Sequence, residues 1–143
     1  MVLRFAGEQA VAAGHRLLDH VTLERTCEAA GMSHDQCFGG LVQLREEGMV
    51  QMRDYDGQVA LLQLTPAGLW SYLTRARADL ADVTERLLDL LEATEPNIVV
   101  PLGHSLGESP LLVEAVLDRL TARRALVYSR VGADNFRIHR FNL

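Results

Sequence analysis

The sequence predicts a mainly α fold with small β-hairpins, of the α+β class. Three observations carry this. Apolar residues recur at helical spacing up to residue 47, two short β-prone runs follow at roughly 49–54 and 58–64, and a leucine seam at alternating steps of four and three then runs from 69 to 90. The 143 residues, 48% hydrophobic and 23% charged, suit one soluble domain with a small extension.

The first element is a helix over 8–19, EQAVAAGHRLLD, with Val11, Leu17 and Leu18 as its apolar positions. In the second, Thr22 is the expected cap, Leu23, Thr26, Cys27 and Ala30 share a face, and Gly31 stops the helix. Ser33 then caps a third helix in which Cys37, Leu41 and Leu44 point inward, and Gly48 supplies a left-handed stop. Asp56-Gly57, between the two β-prone runs, signals a hairpin. Thr65-Pro66 starts the next helix, with a cap and a proline in the first turn.

Leu69, Leu73, Ala76, Leu80, Val83, Leu87 and Leu90 form a heptad seam along that helix. A single helix from Pro66 to Ala93 would be about 42 Å long at roughly 1.5 Å per residue. Such a rod outruns a small domain, so the seam is expected to meet a second copy of the chain and make a homodimer. Residues 94–109 read as a connector rich in Pro and Gly. A helix from Ser109-Pro110, with Val113, Val116, Leu117 and Leu120 inward, and a hairpin formed by ALVYSR and FRIHRF then complete the chain. At an offset of 76 residues, Cys37, Leu41, Leu44 and Val50 fall on Val113, Leu117, Leu120 and Leu126. That echo covers half a motif, because no counterpart of the helix at 22–31 is apparent.

The net charge of −5 does not favour a broad nucleic-acid surface. All 14 basic residues are arginine. Five arginines against nine acids leave residues 1–65 at −4, and the hairpin tip DYDG is acidic. Arginine gathers instead near the end of the chain, at Arg119, Arg123, Arg124, Arg130, Arg137 and Arg140. Those residues either grip nucleic acid or pair with acids of the 66–93 helix. Cys27 and Cys37 make no disulfide framework and are expected to be buried thiols. His34 near Cys37 lacks the paired spacing of a metal site, so no metal and no cofactor are expected. No apolar run approaches a membrane span, and no leader-like segment opens the sequence. The expected setting is cytoplasmic.

GHSLG at 103–107 has the G-x-S-x-G form of a hydrolase nucleophile elbow. An elbow also needs a parallel sheet beneath it and an acid and a histidine downstream, and His139 is the sole later histidine. The chance reading is favoured and no enzyme is expected.

The segment MSHDQCFGGLVQLREEGMVQMRDYDGQVALLQLTPAG resembles the recognition helix, wing and following helix of MarR-like and PadR-like bacterial regulators, and the likeness covers about residues 8–93. The resemblance implies a winged helix-turn-helix domain over 1–65, a long dimerisation helix over 66–93, a connector over 94–109 and a C-terminal helix and hairpin over 110–143. It also implies a DNA-binding transcriptional regulator acting as a homodimer on double-stranded DNA. Ser33, His34, Gln36, Phe38 and Gln43 would face the major groove, with Arg45 and Arg53 on phosphate. Gly39 stands where such regulators commonly carry a polar reader. The alternative is a non-enzymatic winged-helix module that docks another protein, with Phe38 and Val42 as its apolar contact.

Overall fold

A computed structural model describes residues 1–56, 58–123 and 125–141, the last two of these by backbone alone. Gly57 of the expected hairpin, Arg124 and the side chains of Arg140 and Phe141 therefore lie outside the described residues. Among those described, seven helices and two small antiparallel sheets confirm a mixed α+β chain. No helix is long and apolar enough to cross a membrane. The chain divides into two units, Met1–Ala76 and Arg77–Leu143.

The first unit opens with α1 (Val2–Ala13), which begins earlier and ends earlier than the expected 8–19 helix. Its core face is Val2, Leu3, Phe5, Ala6 and Ala10. Gly14 ends it in the left-handed region, φ 79°, where glycine pays no Cβ penalty, and its N–H closes on Ala10 O at 2.8 Å. Residues 16–18 then run along the hairpin, with Leu18 N–H donating to Leu62 O and Leu64 N–H to Arg16 O, both at 2.9 Å.

Asp19, not Thr22, caps α2 (His20–Ala29). Its carboxylate accepts from Val21 N–H at 3.0 Å and from the Thr22 hydroxyl at 3.1 Å. The bonds to Thr22 and Val21 hold it below the usual carboxylate range. Ser33 caps α3 (His34–Glu46) as expected, in a complete capping box with Gln36. The hairpin β1 (Val50–Tyr55) and β2 (Gln58–Leu64) pairs Val50 with Leu64 and carries one register shift between Arg53 and Asp54. Thr65 starts α4 (Pro66–Ala76): its hydroxyl donates to Gly48 O at 2.7 Å and accepts from Gly68 N–H at 3.0 Å. α4 packs on α1 so closely that a Cβ on Gly7 would lie 2.2 Å from the Tyr72 ring.

The single 66–93 helix does not form. It is interrupted at 77–79 and resumes as α5 (Leu80–Ala93) in the second unit. Helix propensity does not account for the break, since Arg77 and Ala78 are good helix formers. Arg77 does. Its guanidinium reaches both Asp79 oxygens at 2.9 and 3.1 Å and both Glu108 oxygens at 2.9 and 2.8 Å. This fork holds a turn, closed by Leu80 N–H on Arg77 O at 3.3 Å.

The dimer seam changes accordingly. Leu69, Leu73, Leu80, Val83 and Leu87 are buried within the chain, Leu90 is half-buried, and Ala76 is exposed. The seam therefore presents no continuous apolar stripe to a second copy.

The expected connector also has structure. It contains β3 (Val99–Val100) and the short α6 (Leu102–Leu106), closed by Gly107 at φ 68°. Then come α7 (Pro110–Ala122), capped by Ser109, and the strands β4 (Leu126–Arg130) and β5 (Phe136–Phe141). The sheet order is β3–β5–β4. Helix, strand, helix, helix and hairpin thus follow one another in both units, residues 16–18 standing for the short strand in the first. α6 supplies the counterpart of α2 that the sequence seemed to lack. The offset of 76 aligns the two left-handed glycines, Gly31 and Gly107, and the two caps, Ser33 and Ser109.

Candidate interaction site on the first unit

α2, α3 and the start of β2 enclose a cavity of about 340 Å³. Cys37, Phe38, Leu41 and Val59 give it apolar walls, and Glu24 and His34 stand at its polar side. Helical spacing places Cys37 and Leu41 inward, while Phe38 and His34 follow one another around the α3 surface. Their rings stack with centroids 6.5 Å apart and planes 16° from parallel.

His34 Nδ1 makes a close contact with the Glu24 carboxylate. That bond and charge, with Asp35 and Glu28 nearby, raise the imidazole above its ordinary pKa and favour the cation. Behind Phe38, Cys37 and Cys27 are buried with their sulfurs 3.0 Å apart. Burial, reinforced by the bond to Cys27, pushes the Cys37 thiol up to about 12.

The residues expected to read DNA do lie together on α3 and the hairpin, but most already have partners. Gln36 Oε1 accepts from Ser33 N–H at 2.8 Å, and Ser33 Oγ accepts from Gln36 N–H at 3.1 Å, so both serve the cap. Gln43 Nε2 donates to Glu47 at 3.1 Å, and Arg45 Nη1 to Asp54 at 3.2 Å. Phe38 is half-buried. Arg53 is exposed and forms no ion pair among the described residues. Sequence reasoning missed Glu24, His20, Gln58 and Val59, which join the cavity only through the packing of α2 and β2 against α3.

In the second unit, GHSLG is not an elbow. Asp134 accepts from Gly103 N–H at 2.7 Å and His104 N–H at 2.9 Å, fixing the start of α6, and Ser105 is an exposed residue inside that short helix. The sheet beside it is antiparallel. Arg130 pairs with Glu114 of α7. Among the described residues, no group of His, Cys, Asp and Glu is arranged to hold a metal ion. Comparison of the chain with protein-family models, with curated proteins and with solved structures finds no match.

Proposed function

We propose that the first unit is a winged helix-turn-helix head whose role is to dock another protein through the face formed by α2, α3 and β2. The element order, the capping box at the start of α3 and the strand-like pairing of residues 16–18 with β2 support the winged-helix reading. One observation carries the docking role: the side chains suited to base edges are spent on partners within the chain, while an apolar cavity with an acidic side stays open beside Phe38. DNA affinity rests on cationic groups free to displace counterions, and this face holds few. The partner it suits carries an exposed apolar side chain. A cytoplasmic setting fits the two reduced thiols.

A DNA-binding regulator is the second reading. Arg53 on β1, exposed and without an ion pair among the described residues, favours it. Both readings are tested by fluorescence anisotropy on genomic DNA fragments at about 50 and 200 mM salt, together with photocrosslinking in cells from a benzoylphenylalanine at position 38. The docking role predicts no sequence-selective DNA retention at either salt, and one discrete crosslinked protein that Glu24→Arg abolishes. Sequence-selective, salt-sensitive retention would establish the regulator instead.

A further inference from the structure

The hydrolase-like motif pointed to Ser105 and left His139 as the histidine downstream. His139 does bond a serine, but the serine lies across its own hairpin. We propose that Ser129 is an activated nucleophile that accepts the acyl group of small reactive esters, with His139 as its base and Asn97 as a positioning residue.

The geometry begins with strand register. Pairing passes from Val127↔Arg140 to Tyr128↔Ile138, so His139 is the extra residue of a β-bulge in β5. A bulge re-aims the side chain it carries. Here His139 Nε2 comes to 2.8 Å from Ser129 Oγ, and Nδ1 to 3.2 Å from Asn97 Oδ1. With Nδ1–H donating to Asn97, Nε2 keeps its lone pair and accepts the Ser129 O–H. A nucleophile, a base in hydrogen-bond reach and a third group orienting the base are the elements that activate a serine.

Two further observations lie beside the bulge. Asn97 takes a left-handed φ of 65°, a conformation asparagine tolerates better than most residues, and its N–H donates to Ile138 O at 2.7 Å. The orienting amide is thereby fixed beside the bulge by backbone as well as by side chain. Arg137 stands directly opposite Ser129 in the register, on the same face, and its Nε is buried without a hydrogen-bond partner among the described residues.

In the reaction, Ser129 Oγ attacks the ester carbonyl carbon as its proton passes to His139 Nε2. The tetrahedral oxyanion collapses, the C–O bond to the leaving group breaks, and that group departs with the proton from His139. Water, deprotonated by His139, then releases the acid and restores Ser129. His139 and Asn97 are exposed, so the site is open and suits short acyl groups.

The full chain is treated with a fluorophosphonate probe and the labelled peptide mapped. Labelling replaces the P–F bond by Ser129 Oγ–P, fluoride leaving with the transferred proton. Label is expected on Ser129, absent from Ser129→Ala, unchanged in Ser105→Ala, and slowed about a hundredfold in His139→Gln. Asn97→Ala is expected to slow it about tenfold and Asn97→Asp to restore it. Circular dichroism verifies that each variant is folded. An unlabelled wild-type chain, label on Ser105, or wild-type labelling in folded His139→Gln overturns the proposal. Wild-type labelling in Asn97→Ala removes the positioning role.

Discussion

α3 and α7 occupy the same place in two units of the same element order, yet they treat solvent in opposite ways. α3 buries only Cys37 and Leu41 fully. α7 buries Leu111, Leu112, Val113, Ala115, Val116, Leu117 and Leu120. At the offset of 76, exposed Asp35, Gln36 and Gly39 correspond to buried Leu111, Leu112 and Ala115. A helix apolar on most sides is a core element, whereas one with a narrow apolar stripe keeps a face for other molecules. The proposed docking head and the packed body of the second unit thus share one element order.

The comparison breaks most visibly under truncation. Leu111→Ala is expected to lower stability by about 2–5 kcal/mol in urea denaturation followed by circular dichroism. Asp35→Ala, at the matching position, should cost about 0.5 kcal/mol, mostly from the lost carboxylate in the first turn. Equal losses would remove the distinction between the two helices.

The caps should behave alike instead of differing. Ser33→Ala and Ser109→Ala are each expected to cost about 1 kcal/mol, because each hydroxyl accepts a backbone N–H at a helix start. The reciprocal bond should survive in Ser33→Ala, since Gln36 Oε1 accepts from the Ser33 backbone N–H.

The smallest effect concerns pH. The folded pKa of His34 is raised by Glu24, so the pair stabilises fully below the unfolded value and its contribution fades as pH rises through the folded value. An NMR titration should place the His34 midpoint above roughly 6.5, the ordinary imidazole value. Glu24→Gln should return it toward that value. A midpoint that ignores Glu24 would detach the histidine from the acidic side of the cavity.

Local features were legible in the sequence. The Ser33 cap, the inward Cys37 and Leu41 and the Thr65-Pro66 helix start all follow from neighbours a few residues apart. The α+β class followed from the change of period. What stayed hidden depends on distant partners. Arg77 at the break bonds Glu108, 31 residues on, and the start of α6 bonds Asp134, 31 residues beyond Gly103. The reading face on α3 looked available because composition says nothing of whether Gln36, Gln43 or Arg45 is already bonded. Ser129, His139 and Asn97 escaped notice for a related reason: alternation put Arg137, His139 and Phe141 on one side of β5, but no rule of alternation foretells a bulge.

The interruption at Arg77 bears on how zippers are inferred in short chains. Leu69 and Leu73 complete one hydrophobic interior, and Leu80, Val83 and Leu87 belong to the next, so an unbroken four-three rhythm spans a junction between modules. Two short amphipathic segments joined in phase look identical, on paper, to one coiled-coil strand. Here an arginine with carboxylates on both sides sits at the break, and such a fork is worth seeking beside any count of heptads.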